Sequence, residues 1–178
     1  WPPAAERALE RMTVPDGFTK RIWAAEPLVM DPVAFCFDPA GNIYVAETFR
    51  QEHGVEDNRS SSYWLLDDLS LQTLEDRRFM YEKWRERREG GMAYYSEKED
   101  RVRRVSDTDG DGRGDAVTIF SDGYRDPLDG TGSGVLHVDG ALYYTNIPSL
   151  IRLPDAGGDG HADAKEILST GYGIRTAL

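Results

Sequence analysis

Asp107-Thr108-Asp109-Gly110-Asp111-Gly112-Arg113-Gly114-Asp115 is the stretch on which the reading of this chain turns. Four carboxylates fall on alternate positions within it. Like charges about 4 Å apart repel by roughly 1 kcal/mol in water and about 4 kcal/mol at an effective dielectric near 20. A hard cation that takes six to eight oxygens removes that repulsion. The spacing is that of the calcium loop D-x-D-x-D-G, with oxygen ligands at loop positions 1, 3, 5, 7 and 9. Here those positions are Asp107, Asp109, Asp111, the backbone carbonyl of Arg113, and Asp115. Gly112 stands where such a loop turns sharply. Position 12 departs from an EF-hand: it is Thr118, not Glu, and Val117-Thr118-Ile119-Phe120 reads as a strand. The expectation is a calcium loop between two strands. The competing reading is a solvated acidic turn.

The pattern returns 48 residues later as Asp155-Ala156-Gly157-Gly158-Asp159-Gly160-His161-Ala162-Asp163. Gly157 replaces the second Asp, so Asp155, Asp159, His161 and Asp163 form a weaker candidate site or a plain turn. The sequel repeats at the same offset: Ile119-Phe120-Ser121-Asp122-Gly123-Tyr124 matches Ile167-Leu168-Ser169-Thr170-Gly171-Tyr172. A period of 40 to 50 residues built from short strands is the signature of propeller blades.

Outward from these loops the chain reads mainly as β. Phe18, Lys20 and Ile22 alternate in Gly17 to Ala25, which predicts a first strand. Val33 to Phe37 and Ile43 to Ala46 flank Asp38-Pro39-Ala40-Gly41-Asn42, a hairpin turn by its Pro and its Gly-Asn. Further strands are expected at 102–105, 135–138, 141–145 and 149–153, and another running up to Leu178. Asp139-Gly140 is a hairpin turn signal. The glycine-dense loop 126–134 lacks a Lys-Ser/Thr ending and leads into a strand, so it is not a phosphate cradle.

Two stretches break the strand pattern. Residues 1–16 are a leader with a short helix from Ala4 to Met12. Residues 50–100 are a helical insertion, its helices lying around 63–90. There Thr73 with Asp76 forms a helix cap, Gly90-Gly91 a stop, and Trp64, Leu65 and Leu66 a shorter preceding helix. Leu74, Tyr81 and Trp84 share one face, expected to pack on the fold, with a sugar-stacking platform as the alternative. Arg77, Arg78, Glu82, Arg85 and Glu89 lie elsewhere, and Glu82 is placed to pair with Arg78 or Arg85. Asn58-Arg59-Ser60 is a formal glycosylation sequon.

The length of 178 residues suits one domain, and a net charge of −11 argues against nucleic acid and anionic membranes as partners. A single cysteine, Cys36, excludes an internal disulfide and is expected as a buried strand residue, not a nucleophile. No C-x-x-C-H is present, so no covalent haem site is expected in these residues. No run of 18 apolar residues exists, so no membrane span is expected. The start at Trp1, the absence of a signal-like stretch and the abundance of calcium outside the cytosol lead to the expectation of a processed, periplasmic or extracellular protein.

The order of motifs carries a resemblance. Glu26-Pro27-Leu28-Val29-Met30-Asp31-Pro32-Val33-Ala34, Phe37-Asp38-Pro39-Ala40-Gly41-Asn42-Ile43-Tyr44-Val45-Ala46-Glu47, the loop 107–115, Asp126-Pro127-Leu128-Asp129-Gly130 and Tyr172-Gly173-Ile174-Arg175 follow one another. In that order they resemble the N-terminal propeller of the planctomycete-type membrane-bound dehydrogenase proteins, large exported haem-binding proteins. That propeller is similar to the soluble pyrroloquinoline-quinone-dependent glucose/sorbosone dehydrogenases. The resemblance implies a single, incomplete propeller domain over 1–178, two to three blades of about six. The rest of the ring, or another subunit, would complete it, and a haem-containing electron acceptor would be a partner. The catalytic histidine and the quinone-binding residues it implies fall beyond Leu178, and His53, His137 and His161 sit in no catalytic motif. Glu47 and Asp126 are candidates for a central cavity, with a surface place expected for each. Two functions compete: part of a quinone-dependent sugar or alcohol dehydrogenase, with calcium and quinone as cofactors, or a non-catalytic calcium-stabilised module that binds carbohydrate or protein.

Overall fold

Asp38 organises the first hairpin: its carboxylate accepts the Ala40 and Asn42 amides, both at 2.9 Å, and Gly41 takes the left-handed conformation the turn needs. The turn joins β1 (Pro32–Phe37) to β2 (Ile43–Glu47). β3 (Asp100–Ser106) and β4 (Ala116–Tyr124) complete an antiparallel sheet in the order β1-β2-β3-β4. A second sheet follows the same plan with β5 (Gly132–Val138), β6 (Ala141–Asn146), β7 (Ser149–Pro154) and β8 (Glu166–Thr170). The computed structural model describes residues 1–175; the strand expected up to Leu178 lies in part outside them, and 171–175 form no strand.

Alternation sets which side chains meet between the sheets. Tyr44, Ala46, Val102, Phe120 and Tyr124 of the first sheet share one core with Leu142, Tyr144, Ile151 and Leu153 of the second. Two edge-on ring pairs sit in this layer, Tyr44 with Phe120 at 4.8 Å and Tyr124 with Tyr144 at 4.9 Å. Such pairs add about 0.5–1.5 kcal/mol each to the burial of the rings. His137, placed on a strand as expected, stacks on Tyr44 across the layer. Cys36 lies on β1, half-buried, and burial raises its thiol pKa, which suits a packing residue better than a nucleophile. The opposite faces stay open: Phe35, Phe37 and Leu136 are all more than half exposed.

The insertion has a defined place. β6 passes to β7 through Ile147 and Pro148 alone, whereas β2 passes to β3 through 52 residues, 48–99. Those residues form α2 (Leu65–Ser70), α3 (Leu74–Lys83) and short 3-10 turns, after the N-terminal helix α1 (Pro3–Arg11). Thr73 caps α3 in a reciprocal box with Asp76. Tyr81 and Trp84 turn inward with Trp64 and Tyr95, and Tyr81 stacks on Tyr95 at 4.3 Å. The face packs mostly within the insertion, and Leu128 and Ile174 from the rest of the fold close on the same cluster.

Three expectations are corrected. Residues 17–25 form no strand, because among the described residues no neighbouring strand supplies their ladder. Arg77, read as lying off the packed face, is buried: it donates to the Gly173 and Leu128 carbonyls, which offsets part of its desolvation. The pairs expected for Glu82 do not form among the described residues; Arg78 meets Asp126 and Lys83 meets Asp67 instead.

Candidate metal centre

β3 and β4 run antiparallel, so the nine residues between their ends must reverse the chain, and three glycines with four carboxylates do it. Asp107 accepts the Gly110 and Gly112 amides, each at 2.8 Å. Asp109 accepts the Asp111 amide and Asp111 the Arg113 amide. Asp115 closes the loop on Thr108, accepting its amide at 3.0 Å and its hydroxyl at 2.8 Å. Those two bonds hold the Asp115 carboxyl below its ordinary range. The result is one convergent group: Asp107, Asp109 and Asp115 each offer an oxygen within 4.8 Å of the others. Asp111, the fourth predicted ligand, stands outside this group.

The second loop has the same backbone frame without the convergence. Asp155 accepts the Asp159 and Gly160 amides, Asp159 accepts the His161 amide, and Asp163 accepts the Ala156 amide at 2.8 Å. The 48-residue repeat is therefore a repeat of hydrogen bonds as well as letters. Among the described residues the carboxylates of this loop form no group of three metal-ligating side chains. His161, named with them as a ligand, is drawn away: its Nδ1 lies 3.0 Å from the Ile119 carbonyl on β4. A carbonyl only accepts, so that nitrogen carries the proton.

The other end of the first sheet holds a buried charged network that the sequence did not announce. Asp100, wholly buried, accepts four donors: the Thr48 hydroxyl and the Phe49, Arg50 and Gly132 amides, at 2.8 to 3.2 Å. It thereby fastens the insertion's start to the second sheet. Glu47, expected at the surface, is wholly buried: it accepts the Met30 amide at 2.7 Å and Arg101 Nε at 2.6 Å, with Arg103 Nε at 3.1 Å. The cations it gathers recover its desolvation. Asp126 is exposed, as expected. Buried Arg50 donates to the Tyr95 carbonyl and lies 4.0 Å from Asp129, too far for a hydrogen bond. Burial lowers the Arg50 pKa and raises that of Asp129. Glu97-Lys98-Glu99-Asp100 looks like a solvated charge run; only its adjacency to a β-strand signals that Asp100 turns inward.

A cleft of about 1010 Å³ opens beside this network, between the residues before β1 and the two ends of the insertion, with His53 on its wall. Along β3 it lies about 20 Å from the acidic loop, at roughly 3.3 Å per residue. Its arginines are already engaged, Arg101 and Arg103 by Glu47 and Arg125 by Glu99, which leaves Lys98 as the remaining lysine or arginine on its wall. A multiply carboxylated quinone would meet Lys98 there but no row of free cations. The sequon is closed off as well: Asn58 is buried, donating to Asp68 and accepting from Trp64 Nε1. Among the described residues no helix is long and apolar enough to cross a membrane.

Neither a curated protein nor a solved structure matches the chain. A family described as a domain of unknown function, DUF7133, matches residues 4–177, nearly the full length, and the chain belongs to that family.

Proposed function

We propose that residues 107–115 hold a calcium ion and that the chain is a calcium-stabilised portion of a β-propeller. The convergence of Asp107, Asp109 and Asp115 on one point supports the ion, because three carboxylates held that close repel unless a cation lies among them. Asp111 and the Arg113 carbonyl are the further oxygens this loop offers. Supporting the propeller are two consecutive four-stranded meanders, packed face to face, whose last two strands and the acidic loops between them repeat at about 48 residues, each sheet with an apolar outer face left over. The portion's own work is to hold the ion and to brace the sheets. Oxidation of a sugar or alcohol by a quinone is proposed for a larger, exported protein, on the resemblance of motifs alone.

Thermal melts with calcium and with a chelator test the site. With a dissociation constant near 10 µM, about 1 mM calcium stabilises the fold by roughly 2.7 kcal/mol. Asp109→Asn abolishes the shift, while Asp159→Asn leaves most of it. An unmoved melting temperature identifies a solvated acidic turn. The enzymatic reading is tested apart, by dye reduction with pyrroloquinoline quinone, calcium and a panel of sugars; reduction by the 178-residue chain itself would contradict a purely structural role.

A further inference from the structure

The second acidic loop does not end in solvent: it docks on the outer strand of the sheet before it. The Ala162 amide donates to the Phe120 carbonyl of β4 at 2.8 Å, and Gly160 backs onto Arg104 and Thr118 of the first sheet. The first loop repeats this 48 residues earlier, but onto the N-terminal segment. The Gly114 amide donates to the Trp23 carbonyl at 2.8 Å, and Gly112 backs onto the Arg21 guanidinium. Trp23 thus stands to the first sheet as Phe120 stands to the second. The connections agree: Glu26-Pro27-Leu28 leads into β1 as Asp126-Pro127-Leu128 leads from β4 into β5.

We infer that residues 18–25 are the fourth, outer strand of a further sheet, whose other three strands come from outside the described residues and cover the outer face of the first sheet. This rests on the propeller reading and gives it a partner of defined form. Among the described residues the amides of 19–25 donate no backbone hydrogen bond, so the segment presents an unused edge. Alternate residues of a strand turn their amides to opposite edges. With Trp23 turned to the acidic loop, Ile22 and Ala24 face the partner. Beside them an open apolar groove of about 410 Å³ runs between Leu9, Ile22 and Trp23 on one side and Phe35, Ile43 and Val45 on the other. A second copy is a poor occupant. Its complete four-stranded sheet would set β8 where residues 18–25 already lie. The occupant is a three-stranded antiparallel sheet with apolar residues on the face toward β1.

Hydrogen exchange and radical footprinting on the protein isolated from its native source test this. The Ile22 and Ala24 amides exchange on the order of 100-fold more slowly than in a peptide of residues 17–26, and Phe35 and Leu136 are shielded from oxidation. Ala24→Pro removes one ladder donor and opens Phe35 while β2 to β7 keep their protection. Free exchange at 19–25 with both side chains shielded overturns the strand donation and leaves the ring standing. Phe35 and Leu136 both open overturns the two readings together. Cross-links joining β8 of one copy to β1 of another identify a second copy and also overturn it.

Discussion

Asp100 is the residue on which most of the upper end of the molecule depends. It is one carboxylate with four donors and no solvent, and each of the four belongs to a different residue of two separate segments. Asp100→Ala leaves those donors buried without an acceptor, at about 1–3 kcal/mol for each unsatisfied group that water cannot reach. Urea melts should show a loss of about 3 kcal/mol or more, larger than for any exposed acidic residue. Gly132 is constrained from the other side. A β-carbon there would collide with the hydroxyl of buried Tyr144. Gly132→Ala should cost about 1–3 kcal/mol through overpacking, and Tyr144→Phe should restore part of it in the double variant. Asp129 makes a prediction about pH. Burial raises its carboxyl pKa, so the unfolded chain loses that proton first as pH rises. The group's contribution is complete below its ordinary value near ~4 and is lost as pH climbs through the raised one. Against Asp129→Asn, the parent chain should lose stability from about pH 4 upward, read as a falling difference in urea midpoint.

The insertion shows how an element can be added at little cost to a sheet. It replaces a two-residue connection, so the ladder of β2 and β3 is undisturbed, and it returns to the fold through a few strong ties. Arg77 is one, binding the Leu128 and Gly173 carbonyls from a buried position. Arg77→Ala should cost about 2–3 kcal/mol, since hydrogen bonds from a charged donor are worth about 1.5–3. Thr73→Ala, which removes only the cap of α3, should cost about 1 kcal/mol. A difference between the two in the same melt locates the insertion's anchorage at Arg77. The elements legible in the sequence were those whose signals are local: turn residues at Asp38 and Gly140, alternation in the strands, the cap at Thr73. The acidic loops were legible as turns between strands, but their spacing did not tell that Asp111 stands outside the group of Asp107, Asp109 and Asp115 or that the second loop's carboxylates fail to converge. Glu47, Arg50, Arg77 and Asp100 were not legible. A buried charge reads like a surface charge until the partners that share its desolvation are known, and those partners are up to about a hundred residues away. The segment 17–25 failed in the reverse sense. Its pattern is that of a strand, but a strand is made by its neighbour, and no neighbour lies among the described residues.

At the scale of the molecule two forces oppose each other. The outer faces expose Phe35, Phe37 and Leu136 at 58 to 64 % of their full area, and apolar surface at that level favours association. The net charge of −11 keeps copies apart. Only the second force responds to salt: the screening length falls from about 30 Å at 0.01 M to about 10 Å at 0.1 M and about 3 Å at 1 M. The 178-residue chain should therefore sediment as a monomer at low ionic strength and associate weakly and increasingly as salt is raised. Calcium should push the same way, because a divalent ion in the acidic loop reduces the net charge. Phe35→Asp with Leu136→Asp places a charge on each open face and should hold the chain monomeric throughout the series. If the doubly substituted chain associates as the parent does, the contact lies elsewhere than the sheet faces. If the parent dissociates as salt is added, charge pairing and not apolar surface holds the copies together.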